Sequence, residues 1–214
     1  MNTLLMQNTF RISGPSAKTP GELSYGSGFI IGTPTISDST RLWSVLVTAA
    51  HVLDDIKGET ATISLRTRDK DGMYTELPYT YRIRNGYRHL YKTNSEADVA
   101  AAFIQLPNSV EINGISASFL LSDERIKELE LHPGDEVFVL GFPLYTDLNT
   151  FPVLRSGVFS SFPLTPMKAV KSYFVNFRVF PGNSGGPVCT YIAQCDTIRR
   201  GIQVKVASHL EFLA

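Results

Sequence analysis

The stretch TATISLRTRDKDGMY, residues 60–74, alternates with a period of two until it reaches an Asp-Gly pair. On an extended chain Ile63 and Leu65 fall on one face and Thr62, Ser64 and Arg66 on the other, the pattern of a half-buried strand. Asp71-Gly72 suits the tight turn of a hairpin, so a second strand is expected to run back beside the first. Other strand signals recur along the chain: TFRIS (9–13) is short and β-rich, GSGFIIG (26–32) reads as a buried strand bounded by glycines, RLWSVLVTAA (41–50) is an apolar, β-branched run, and YTYRIRNGY (79–87) alternates again and ends in Asn-Gly. ADVAAAFIQL (97–106), DEVFVLGFPL (135–144), RSGVFSSFP (155–163) and SYFVNFRVF (172–180) extend the series, and GPVCTYIA (186–193) and RRGIQVKVAS (199–208) close it.

Helix signals are few. Ser122 is placed to cap a short helix in LSDERIKELEL (121–131), with acids in its first turn, and ASHLEFLA (207–214) reads as a short terminal helix. Many short strands separated by turns, without alternating helices, predict an all-β protein. A composition break in PNSVEINGISAS (107–118) divides the chain into halves of about six strands each. The expected architecture is two antiparallel six-stranded β-barrels, residues 1–112 and 113–214, with the active site in the cleft between them and a short C-terminal helix. Together they would form one domain spanning 1–214.

Composition narrows the function. Of 214 residues, 43% are apolar, and twenty basic residues balance twenty acidic ones with no long basic run, which argues against nucleic acid as a partner. No signal peptide and no run of about 18 apolar residues is present, so no membrane partner and a cytoplasmic location are expected. The only cysteines, Cys189 and Cys195, lack the spacing of a zinc or redox site. They could bridge a hairpin, but reduced thiols are the default in such a compartment.

Three short blocks carry chemistry. In VLVTAAHVLDD (45–55), His51 follows a strand-like run where the chain should turn, which would fix its backbone while leaving the ring reachable. Histidine can take and return a proton near neutral pH. Asp98 opens an otherwise uncharged apolar run and needs a partner, because an isolated buried carboxylate is costly; a histidine N–H is suitable. Asp54 and Asp55 read as the solvated start of a loop. In FPGNSGGPV (180–188), Ser184 sits among glycines that would let the amides of Gly182 and Ser184 converge on one oxyanion. A serine hydroxyl is a weak nucleophile and requires such help together with a base.

TAAH (48–51), ADVA (97–100) and GNSGGPV (182–188) resemble the three active-site blocks of the trypsin-like (chymotrypsin-fold) serine proteases. GSGFII, GDEVFVLGFP and SGVFSS are similar to the bacterial branch that includes the high-temperature-requirement proteases, so the resemblance spans about residues 24–188. It implies a serine endopeptidase (a hydrolase) with His51 as general base and acid, Asp98 as its orienter and Ser184 as nucleophile. It likewise implies an oxyanion hole built from the amides of Gly182 and Ser184, with no cofactor and no metal. Arg178 and Phe180 lie where the family often lines its substrate pocket. After Ser184 the chain reads as about one strand shorter than the family's pattern, either an abbreviated barrel or missing residues near 192–200. The N-terminus shows no zymogen arrangement. Activity is therefore expected to be gated by a partner protein, by oligomerisation or by an oxyanion loop that orders on a signal. The alternative is a catalytically silent protease fold used for binding. An α/β-hydrolase would need the order Ser, Asp, His and alternating strands and helices, which are not found.

Overall fold

In a computed structural model, the described residues are 3–34, 42–94, 96–110, 112, 115–143, 150–192 and 201–206, with main chain alone at 42, 191–192 and 201–206. A five-residue helix α1 (Leu4–Asn8) leads into β1 (Thr9–Pro15), β2 (Leu23–Pro34) and β3 (Leu42–Thr48). Helix α2 (Ala50–Asp54) precedes the hairpin of β4 (Thr60–Arg68) and β5 (Tyr74–Arg82). Short strands β6 (Arg84–Asn85), β7 (Arg88–His89) and β8 (Lys92–Asn94) lead to β9 (Ala97–Phe103). The second half runs through β10 (Ile115–Ser116), α3 (Asp123–Glu128), β11 (Glu136–Gly141), β12 (Val153–Phe159), α4 (Met167–Val170), β13 (Val175–Asn176), β14 (Pro187–Ile192) and β15 (Gly201–Val206).

The first sheet has the order β5-β4-β1-β2-β3-β9-β8, with β10 lying parallel to β2; the second has the order β13-β12-β11-β14-β15. The other pairings are antiparallel, and β6 and β7 make a separate ribbon. The protein is thus mostly β with a few short helices. Closed six-stranded barrels are not seen: the sheets carry eight and five strands, and neither ladder returns to its first strand among the described residues.

The 60–74 stretch folds as its pattern predicts. Asp69 Oδ1 accepts from the amides of Asp71 (3.0 Å) and Met73 (2.8 Å), closing the β4–β5 turn. Ile63 and Leu65 enter the first core with Phe10, Ile12, Ile30 and Leu46. The opposite face departs from expectation, since Ser64 and Arg66 are buried as well. The chain around α1 covers that face. Arg66 Nη2 lies 3.2, 2.8 and 2.7 Å from the carbonyls of Met6, Gln7 and Thr9, and its Nη1 donates to the Thr150 carbonyl at 2.7 Å. The guanidinium is sandwiched between the rings of Phe10 and Phe151, 4.5 and 4.6 Å from their centroids. Burial lowers its pKa to about 10, which still leaves it protonated at neutral pH.

β2 is buried at every position from Gly26 to Gly32 because both of its faces are covered. Ile30 faces the first core, while Phe29 and Ile31 join Leu5, Val47, Leu140 and Cys189 in a cluster shared with the second sheet. Leu140 and Cys189 come from β11 and β14, so this cluster is the apolar seam between the sheets. A third cluster, including Val137, Val139, Phe159 and Tyr173, fills the second half. Ser122 caps α3 as its sequence predicts, accepting from the Arg125 amide at 3.3 Å. SYFVNFRVF departs from prediction, with only Val175–Asn176 in strand geometry. Helices α1 and α4 have five and four residues, too few for a periodic signal. The terminal ASHLEFLA and Cys195 lie outside the described residues.

Among the described residues no helix is long and apolar enough to cross a membrane, and no group of three His, Cys, Asp or Glu is placed to hold a metal ion. Cys189 is a free, buried thiol whose Sγ contacts the Phe138 carbonyl at 3.5 Å. Burial raises its pKa from 9.0 to about 12. The folded chain therefore holds this proton more tightly than the unfolded one, and the associated stability is lost as pH rises above 9. In a Cys195→Ser background, Ellman's reagent at pH 8 is expected to leave the native protein unmodified and to titrate one thiol after unfolding in guanidinium. Rapid native labelling would place Cys189 at the surface.

Candidate active site

The His51 block is set by the end of β3. Ala49 keeps extended geometry (φ −73°, ψ 142°), and α2 starts at the next residue, so His51 sits on the first turn of a helix rather than on a loose loop. Val52 and Leu53 bury the helix against the first core. Its far end is tied down by Arg84, which donates to the carbonyls of Leu53 (2.6 Å) and Ile56 (2.7 Å). Tyr91 donates its hydroxyl to Asp54 Oδ1 at 2.5 Å, and burial together with this carboxylate raises the phenol's pKa to about 12. Asp55 pairs with Lys18 Nζ at 2.7 Å. Asp54 is exposed, as expected of a solvated acid, and Asp55 partly so, and both also brace this segment.

Asp98, the second residue of β9, reaches the histidine twice. Its Oδ1 accepts the His51 main-chain amide at 2.9 Å, and its Oδ2 makes a short hydrogen bond with His51 Nδ1. An ionised carboxylate can only accept, so Nδ1 carries the proton and Nε2 presents a lone pair. The carboxylate is 17% exposed and the imidazole 48%, so the pair is shielded on the Asp98 side and open on the other. The partner that the sequence demanded for Asp98 is therefore His51.

The serine block is two consecutive turns. The Asn183 amide donates to the Phe180 carbonyl (3.2 Å), and the Gly186 amide donates to the Asn183 carbonyl (3.1 Å). The third residue of each turn is a glycine with positive φ, Gly182 at 97° and Gly185 at 84°, as a type II turn requires, and Pro181 fills its favoured second place. Ser184 takes the second place of the second turn. From Gly182 to Thr190 every other residue is buried, so Ser184 alone reaches the surface. The amides of Gly182 and Ser184 donate no hydrogen bond among the described residues. A Cβ on Gly185 would lie 2.8 Å from the Ala49 nitrogen, which places this loop directly against the start of α2. No hydrogen bond joins Ser184 Oγ to His51 in this conformation.

Of the pocket residues, Arg178 is exposed and Phe180 is half-buried. A second cation that the sequence did not single out, Arg155 on β12, packs over the Phe180 ring at 4.4 Å and donates to the Arg178 carbonyl at 3.4 Å. Ser27 and Thr48 were also missed. Ser27 Oγ donates to the Gly182 carbonyl (2.7 Å) and accepts from the Phe142 amide (3.0 Å), and Thr48 Oγ1 donates to the Ser27 carbonyl (2.7 Å). The signal for Ser27 was a lone hydroxyl inside a strand predicted to be buried, because a buried hydroxyl has to find partners.

The model of the trypsin-like peptidase domain matches residues 26–193, a span that contains the His51, Asp98 and Ser184 blocks. The chain belongs to the trypsin-like peptidases. This trypsin-like peptidase is a serine endopeptidase, a hydrolase acting on peptide or protein substrates. No curated protein matches it in sequence. Among solved structures, it is similar to the thermostable serine protease AL20 from an extremophilic microorganism, with a TM-score of 0.50 and 10% identity over 96% of this chain and 93% of that one. The active form of the Rv3671c protease from M. tuberculosis matches at 17% identity and a TM-score of 0.41, over 94% of this chain and 76% of that one. At such identities the likeness to AL20 speaks to the fold alone, a mostly β, chymotrypsin-like architecture.

Proposed function

We propose that this peptidase cleaves peptide bonds through an acyl-enzyme formed on Ser184 in a cleft between its halves, 1–112 and 113–214, each built on a barrel plan. His51 Nε2 takes the Ser184 hydroxyl proton as Oγ bonds to the scissile carbonyl carbon. The carbonyl oxygen, now an oxyanion, is met by the amides of Gly182 and Ser184. His51 returns the proton to the leaving amine as the C–N bond breaks, and water then attacks the ester by the same route with the proton moving through His51 again. Asp98 holds the ring and stabilises the imidazolium. The observation that carries this reading is the double hold of Asp98 on His51, through main chain and ring together, which presents Nε2 with a lone pair.

The second element of the reading is gating. The catalytic hydrogen bond tightens only in a committed complex, brought about by substrate, by a regulatory partner or by a shift of the oxyanion loop. Arg178 and Phe180 lie at the mouth of the pocket in this scheme. A fluorophosphonate probe is expected to label the natural chain on Ser184, and labelling disappears in Ser184→Ala and falls steeply in His51→Ala. An unlabelled natural chain, with unfolded casein present as a candidate activator, would favour the silent binding fold instead.

A further inference from the structure

The oxyanion loop belongs to the second half, yet its main chain is held by one residue of the first. Ser27, on β2, is fully buried. Its amide donates to the Ser184 carbonyl at 2.7 Å and its Oγ donates to the Gly182 carbonyl at 2.7 Å. The same oxygen accepts from the amide of Phe142, the residue that follows β11, at 3.0 Å. Thr48, at the end of β3, donates to the Ser27 carbonyl at 2.7 Å and completes the set. The two carbonyls that Ser27 draws inward belong to the two residues whose amides stay undonated. A carbonyl's direction sets its residue's ψ, so these bonds restrict how the neighbouring peptide planes can turn.

We propose that Ser27 is a positioning residue for the oxyanion loop, holding the Gly182 and Ser184 amides in their catalytic directions from across the cleft. The inference deepens the acyl-enzyme reading and rests on it. Main chain alone could have supplied the bond to the Ser184 carbonyl, but the bonds to Gly182 and Phe142 need a hydroxyl, which both donates and accepts at one atom. Gly182 has a positive φ and no side chain to pack, so the peptide that joins it to Asn183 is held through its two ends, by the Asn183 amide on the Phe180 carbonyl and by Ser27 on the Gly182 carbonyl. Ser27 is fully buried, so its bonds are shielded from bulk solvent.

The test uses p-nitrophenyl acetate, a small ester that makes no demand on the substrate pocket, with the Ser184→Ala rate subtracted as background. In the full chain, Ser27→Ala is expected to slow acylation by about 100-fold, comparable with the loss of one oxyanion donor, while the apparent dissociation constant of the ester stays within about twofold. Ser27→Cys, which keeps the shape but weakens both bonds, is expected to fall between the two; it carries the test if the alanine variant loses its native circular dichroism. Acylation within twofold of the natural chain in the variants that fold overturns the role of Ser27 and leaves the catalytic reading intact. A loss confined to ester binding overturns it as well. A natural chain with no rate above Ser184→Ala, with and without unfolded casein as a candidate activator, overturns both readings together.

Discussion

Asp98→Asn is expected to lower kcat by about 10⁴-fold while leaving KM and the melting temperature nearly unchanged. The geometry dictates which way the new amide must turn. The His51 main-chain N–H requires an acceptor, now Oδ1 at 2.9 Å, so the asparagine carbonyl oxygen takes that place. Its NH₂ group then faces His51 Nδ1 and donates to it. That bond stabilises the tautomer with the proton on Nε2, and an Nε2–H cannot accept the serine proton. Because size and main-chain contacts are retained, the loss should fall on the chemical step. Initial rates on labelled casein, paired with thermal melts, read both quantities. A decrease of less than tenfold would show that something other than Asp98 sets the ring.

The second large effect is structural. Gly185→Ala is expected to destabilise the fold by more than about 4 kcal/mol, an exceptional value for one methyl group. With a φ of 84°, alanine is already strained, and its Cβ would sit 2.2 Å from the Ser27 carbonyl oxygen and 2.3 Å from Thr48 Oγ1. The carbonyl is main chain in the middle of a sheet and cannot step aside. Gly58 is the control: its φ is 93°, but nothing lies within 4 Å of the corresponding Cβ. Gly58→Ala should therefore cost only the left-handed strain, about 1–2 kcal/mol. At roughly 2–4 °C per kcal/mol for a chain of this size, the two melting curves should differ by at least several degrees. Equal shifts for both variants would mean that backbone strain, not crowding at the seam, decides the matter.

Much of this was legible in the residues, and the exceptions share a cause. Short β-rich and apolar runs between turn residues, two of them with period-two alternation, located most strands, and Asp-Gly located the β4–β5 turn, because these signals act over a few residues. The need of Asp98 for a partner and the glycine-bracketed Ser184 were likewise local facts with a physical demand attached. What escaped is what depends on distant chain. Arg66 looked solvated because nothing nearby in sequence says that α1 will lie across it. The two-residue β13 replaced an expected long strand because the β-rich composition of SYFVNFRVF says nothing about whether a neighbour offers hydrogen bonds along its length. Ser27 carried a hint in its burial, but the identity of its partners, 115 and 155 residues away, could not be read locally.

Arg66 has a further consequence for how this protein can vary. Its hydrogen bonds all end on main-chain carbonyls, those of Met6, Gln7, Thr9 and Thr150. Substituting any of those four residues leaves the acceptor in place, so among the described residues the side chains with which the guanidinium could covary are the flanking rings of Phe10 and Phe151. Drift at either end of the clamp is silent to it, while replacement of Arg66 itself has no complementary substitution to restore the bonds. Relatives that share this backbone course should therefore keep arginine here between aromatic rings but amid otherwise unrelated neighbours, and those that lose it should also have rerouted the chain before β1 or around Thr150.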